Sequence, residues 1–220
     1  MNTPPAGATA SLRVVQGDAD AQTVNVLVNG MLTSSSVAYL SATGYMPVPS
    51  GMDLLDIQVA PSQVSPVQNV GLSLAPSSHN TFIMDGCCAF NHSAIQLMDD
   101  TTPPASGSAK LRVVDAFLSF PGIDFFVLPA GSTPSGTPAI TNQAFNSAAS
   151  YLTLTAGDYD VFVTQTPLPG GPIGPVLFHT GSFTLAAGQN RTVAILNLCS
   201  PGFCDTSGHT LTSVMLADLN

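Results

Sequence analysis

The sequence predicts an all-β protein made of two tandem Greek-key β-sandwich domains. Three observations carry this. The chain repeats itself, its apolar segments are short with a period of two, and it is poor in the residues that build surface helices.

The repeat comes first. Leu12-Arg13-Val14-Val15 recurs 99 positions later as Leu111-Arg112-Val113-Val114. Val24 to Val28 recurs at the same spacing as Ile123 to Val127. Tyr45 to Gly51 matches Tyr151 to Gly157, Leu72 to Leu74 matches Phe183 to Leu185, and Thr81 matches Thr192. Ile95 to Asp99 matches Val214 to Asp218, and the spacing has by then grown to 119. Order is kept and spacing only grows, so copy 2 carries longer loops. A period of roughly 100 residues denotes a duplicated domain rather than a short-period solenoid. The boundaries predicted are a flexible segment over 1–10, copy 1 over 11–100, a Pro/Ser/Gly linker over 101–108, and copy 2 over 109–220.

The matched blocks read as strands. Val24, Val26 and Val28 alternate with Asn25 and Leu27. Leu54 to Val59, Tyr159 to Val163 and Val193 to Leu198 are short, rich in β-branched or aromatic residues, and bounded by Gly, Pro or Asn. Gly51-Met52-Asp53 and Gly157-Asp158-Tyr159 read as turns leading into such strands. Ala139 to Ser150 has room for one short helical turn. Each copy offers about six or seven strands with frequent turns, which suits a Greek-key sandwich.

Composition bounds the function. Only 8% of residues are charged, Glu and Trp are absent, and Lys110 is the one lysine. Ser, Thr, Asn and Gln must build the polar surface, as in extracellular β proteins. The net charge is −9, and Arg13, Lys110, Arg112 and Arg191 form no cluster, which argues against nucleic acid and anionic membranes. No apolar run approaches the roughly 18 residues that span a bilayer. Residues 1–10 lack a basic start and an apolar stretch, so an exported form of this chain would have lost its leader, with Met1 an added start.

Four cysteines, an even number in expected loops, suit an oxidising compartment. A Cys199–Cys204 bridge across a compact turn is favoured, with Cys87 and Cys88 unpaired or cross-paired between the two loops. Their spacing does not match a zinc site, although His92 and His209 lie nearby.

The opening Leu-Arg-Val-Val, followed by Val24-Asn25-Val26-Leu27-Val28-Asn29-Gly30, then Tyr45, Gly51 and the apolar strand ending in Asp99, resembles the bacterial exported domain known as domain of unknown function 4397, which often occurs in tandem. Members typically read Arg-Val-Val-His-Ala, then Val-Asp-Val-Tyr-Val-Asp-Gly, then Tyr, then Ala-Gly-Thr-Tyr-x-Val. Ile123 to Val127 and Ala156-Gly157-Asp158-Tyr159-Asp160-Val161 come close. Copy 1 departs where Asp53 replaces Tyr, and Gln16 and Asp115 stand where His is usual. The resemblance implies a secreted or surface-anchored immunoglobulin-like or transthyretin-like sandwich. It implies no catalytic residues.

Candidate sites have a bland reading beside each sharp one. His79, His92, His179 and His209 accompany no G-x-S-x-G, S-x-x-K or H-E-x-x-H motif, so the chain is read as no enzyme and a hydrolase as the third choice. Asp18, Asp20, Asp99 and Asp100 are weak calcium candidates; their ordinary role is to bond backbone amides in turns. No other cofactor is expected. Asp99 and Asp218 recur and suit bonds to a neighbouring loop. Asn91-His92-Ser93 and Asn190-Arg191-Thr192 fit the glycosylation sequon. A self-formed Lys–Asn cross-link needs Lys110 beside an Asn and a catalytic acid, and the lack of Glu argues against it. Phe117, Phe120, Phe125 and Phe126 read as core, but Phe125 and Phe126 point to opposite faces, leaving one for solvent or a domain boundary. The leading expectation is an extracellular structural or protein-interaction module. It would meet other subunits or surface components, as a homo-oligomer or a fibre subunit joined through sheet edges, residues 1–10 or the last strand. The runner-up is a loop-borne site for carbohydrate or peptide.

Overall fold

The computed structural model describes residues 7–62, 64–86, 92–117, 122–168, 170–198 and 210–219. All four cysteines, Phe120 and His209 lie outside these residues, as does residue 63 and most of the segment 1–10. The described chain is all β, with no helix. It divides into two compact units, one ending at Asp99 and the other starting at Asp100.

Unit 1 holds β1 (Thr9–Asp18), β2 (Thr23–Val28), β3 (Met31–Ala38), β4 (Ser41–Ala42), β5 (Met46–Pro49), β6 (Gly51–Val59), β7 (Val67–Leu74), β8 (His79–Gly86) and β9 (His92–Asp99). One sheet runs β4-β1-β8-β9, with β5 also on β1; the other runs β3-β2-β6-β7. Neither closes into a barrel. Strand β1 begins at Thr9, inside the segment expected to be flexible, because Ala10 is part of the core.

Alternation explains the core. Leu12 and Val14 of β1, Val24, Val26 and Val28 of β2, Leu55 and Ile57 of β6, and Phe82 and Met84 of β8 meet in one buried cluster drawn from both sheets. Asn29-Gly30 turns β2 into β3 with both residues at positive φ, 52° and 75°, a conformation that Asn and Gly tolerate best.

Unit 2 repeats this plan with β10 (Ser108–Asp115), β11 (Ile123–Pro129), β12 (Ile140–Gln143), β13 (Ser147–Ala148), β14 (Leu152–Thr155), β15 (Gly157–Gln165), β16 (Val176–His179), β17 (Phe183–Leu185), β18 (Asn190–Asn197) and β19 (Leu211–Leu219). Its sheets run β13-β10-β18-β19, with β14 on β10, and β12-β11-β15-β16, with β17 on β15. Its core gathers Leu111, Val113, Phe125, Val161, Val193 and Ile195.

Two expectations change and a third is narrowed. Ala139 to Ser150 holds two short strands, β12 and β13, and no helical turn. Gly51 to Asp53 and Gly157 to Tyr159 already belong to strands β6 and β15. Phe125 and Phe126 are both buried, at 0% and 1% exposure, and only Phe125 belongs to the core between the sheets. One feature had no sequence signal: β1 pairs with β8, and β10 with β18, in parallel.

Candidate functional site

Between Leu12 and Val14, Arg13 must point out of the core, yet it is 4% exposed. Its guanidinium lies 4.6 Å from the centre of the Tyr45 ring. Nε and one terminal nitrogen donate to Thr81 Oγ1 at 3.1 and 2.7 Å. The Thr81 hydroxyl donates to Asp99 Oδ2 at 2.6 Å, and Tyr45 donates to the same oxygen at 2.7 Å. Arg13 itself lies 3.6 Å from that oxygen.

The four repeated positions of unit 2 form the same network. Arg112 lies 4.7 Å from the Tyr151 ring centre and donates to Thr192 at 3.0 Å. Thr192 and Tyr151 donate to Asp218 Oδ2 at 2.6 and 2.8 Å. Burial pushes the Tyr151 phenol well above its ordinary value, with Arg112 opposing and Asp218 adding to the rise. Each network sets a buried cation against a ring face, a hydroxyl and a carboxylate, which is how buried charge is made tolerable. Its donors and acceptors are turned on one another, so its chemistry is that of a lock. The recurrence of Arg, Tyr, Thr and Asp inside apolar blocks was the available signal, but linear spacing does not show that all four meet.

Three of the four calcium candidates, Asp18, Asp99 and Asp100, accept internal hydrogen bonds through their carboxylates. Asp18 Oδ1 accepts the Asp20 N–H at 2.9 Å, which is turn chemistry. A Cβ on Gly86 would stand 2.7 Å from the Asp18 carboxyl carbon, so any side chain there would have to displace that carboxylate. Asp99 belongs to the first network. Asp100 accepts from Lys110 Nζ at 2.6 Å and from the Thr102 N–H and hydroxyl at 2.8 and 2.6 Å. Among the described residues no three His, Cys, Asp or Glu side chains gather as a metal ion would need.

Two further groups stand out. Gln16 clasps the chain in unit 1: its Oε1 accepts the Asp18 N–H at 3.2 Å and its Nε2 donates to the Asp18 carbonyl at 2.9 Å. At the matching position Asp115 accepts the Phe117 N–H at 3.3 Å. Burial raises the Asp115 carboxyl to about 7, the Phe117 hydrogen bond opposing only in part. In the second sheet of unit 2, His179 Nδ1 lies 3.4 Å from Asp160 Oδ2 and its ring stacks on Phe162 at 5.4 Å. His179 is more than half exposed.

The family model described as a domain of unknown function, DUF4397, matches residues 10–126. The chain belongs to the DUF4397 family. The match runs from β1 through all of unit 1 into β11, so the Arg13–Tyr45–Thr81–Asp99 network lies wholly within the matched DUF4397 span. No curated protein matches the chain.

Proposed function

We propose that this chain is a non-catalytic structural or protein-interaction module of the bacterial exterior, built as two tandem sandwiches. The observation that carries this reading is the outer face of the β3-β2-β6-β7 sheet. Leu32, Met52 and Leu54 on that face are 62%, 77% and 46% exposed, with Met31 at 74% on the adjoining hairpin. Clustered exposed apolar side chains on one sheet face suit contact with other subunits or surface components. Three of the four basic side chains, Arg13, Lys110 and Arg112, are engaged in internal networks, which supports a role in building rather than catalysis.

The strand order favours the transthyretin-like form of sandwich over the immunoglobulin-like one. The immunoglobulin order keeps its first and second strands in one sheet, whereas β1 and β2 lie in different sheets here. Light scattering on the purified protein tests the reading. We expect a concentration-dependent oligomer that Met52→Ser with Leu54→Ser reduces to monomer. A monomer at every concentration, with no surface component bound, would sink it. The exposed His179 ring stacked on Phe162 beside Asp160 favours the second reading, a carbohydrate- or peptide-binding module. In that case sugars or peptides raise the melting temperature of the protein and His179→Ala abolishes the shift.

A further inference from the structure

Lys110 lies near the start of β10 and Asn190 opens β18. The parallel register sets them side by side. Both side-chain nitrogens reach the Thr102 carbonyl, Lys110 Nζ at 3.1 Å and Asn190 Nδ2 at 3.0 Å. Asn190 is fully buried, and its Nδ2 also donates to the Asp100 carbonyl at 2.6 Å. Its Oδ1 is buried with no hydrogen-bond partner. Lys110 Nζ donates to Asp100 Oδ2 at 2.6 Å. The Lys110 amine and the Asn190 carboxamide, its carbonyl oxygen bare, therefore meet at the Thr102 carbonyl, with the Asp100 carboxylate on the amine. Asp100 fills the place for which the sequence offered no Glu.

We propose that Lys110 and Asn190 join in an intramolecular isopeptide bond, with Asp100 carrying the proton. Asp100 takes a proton from the Lys110 ammonium. The freed amine attacks Asn190 Cγ, forming the Nζ–Cγ bond. Asp100 returns its proton to Nδ2 as the Cγ–Nδ2 bond breaks, and the departing ammonia takes the second Nζ proton and leaves as ammonium. The overall change turns an ammonium and a primary amide into a secondary amide and an ammonium ion, with no oxidant or cofactor. Burial pushes the Asp100 carboxyl up, but hydrogen bonds from Lys110 and Thr102 outweigh it and hold it at about 2. The resting state is thus an ion pair, and the bond forms as a slow maturation after folding. Unit 1 is the internal control: the same register there pairs Ser11 with His79, which have no amine to offer.

Intact mass spectrometry of the reduced wild-type chain, held at neutral pH after purification, tests this. We expect a mass about 17 Da below the sequence value, the loss of one ammonia, and a Lys110–Asn190 cross-linked peptide on digestion. Lys110→Arg and Asp100→Asn keep the fold's packing and are expected at full sequence mass. A wild-type chain that keeps its full mass overturns the proposal. So does a loss that persists in Lys110→Arg, which would point to ring closure at Asn29-Gly30 instead.

Discussion

Unit 1 and unit 2 share the Arg–Tyr–Thr–Asp network at matching positions and differ at the ends of their cores. Where unit 1 has the Gln16 amide, unit 2 has the Asp115 carboxyl. Where unit 2 packs Tyr159 against its core, unit 1 has Asp53, 4% exposed and with Oδ2 buried without a hydrogen-bond partner. The edge strand also differs. Strand β7 is continuous over Val67–Leu74, whereas its counterpart is divided into β16 and β17, with Gly181 between them at φ 72°. The polar lock recurs in both units and the core ends differ. The lock therefore bears the constraint of the fold, and the ends give each copy its own response to solution conditions.

The largest effect is expected from breaking the locks one at a time. Asp99→Ala leaves Arg13 buried without its carboxylate, and Asp218→Ala does the same to Arg112. Each should cost about 3–5 kcal/mol in its own unit. Hydrogen exchange resolves the two: protection should fall in the unit carrying the change and hold in the other. Equal loss in both units would end the picture of two separately locked folds.

A smaller, pH-dependent difference should separate the units at Asp115. Its folded value, about 7, lies above the ordinary carboxyl value of 3.8. The folded state holds the proton more tightly, so stability is fully present below about pH 4 and is lost as pH rises towards 7. The slope is at most about 1.4 kcal/mol per pH unit. Asp115→Gln should flatten it, while Gln16→Asp should install it in unit 1. Urea titrations between pH 4 and pH 8 measure both. A wild-type profile that Asp115→Gln leaves unchanged would remove Asp115 as the cause.

The smallest effect is a repair. Asp53→Tyr replaces a buried carboxylate with the ring that unit 2 uses, and should stabilise unit 1 by about 1–2 kcal/mol. A destabilised variant would mean that unit 1 has closed around the smaller side chain.

The strands were legible because one-sided burial writes a period of two into β2 and β6, and because the repeat doubled every signal. Parallel pairing of β1 with β8 was not, since a strand's sequence does not state its neighbour's direction. For Phe126 alternation gives its face but not what covers that face. The polar network was half legible: Arg13, Tyr45, Thr81 and Asp99 stood out as repeated polar positions, but 86 residues separate the first from the last. Lys110 and Asn190 were read apart because only the register of β10 on β18 joins them.

Asp99 and Asp100 are consecutive, and one peptide bond carries the chain from one unit to the next. Asp99 is tied to Tyr45 and Thr81; Asp100 is tied to Lys110 and its amide reaches the Tyr151 hydroxyl at 3.4 Å. A pulling force along the chain would meet the buried Asp99 on one side of that bond and the Lys110-anchored Asp100 on the other before any of the Pro/Ser/Gly stretch 101–108 could pay out. Such a joint behaves under tension as a rivet and not as a tether, so extension would begin with the rupture of a network rather than with the straightening of a linker.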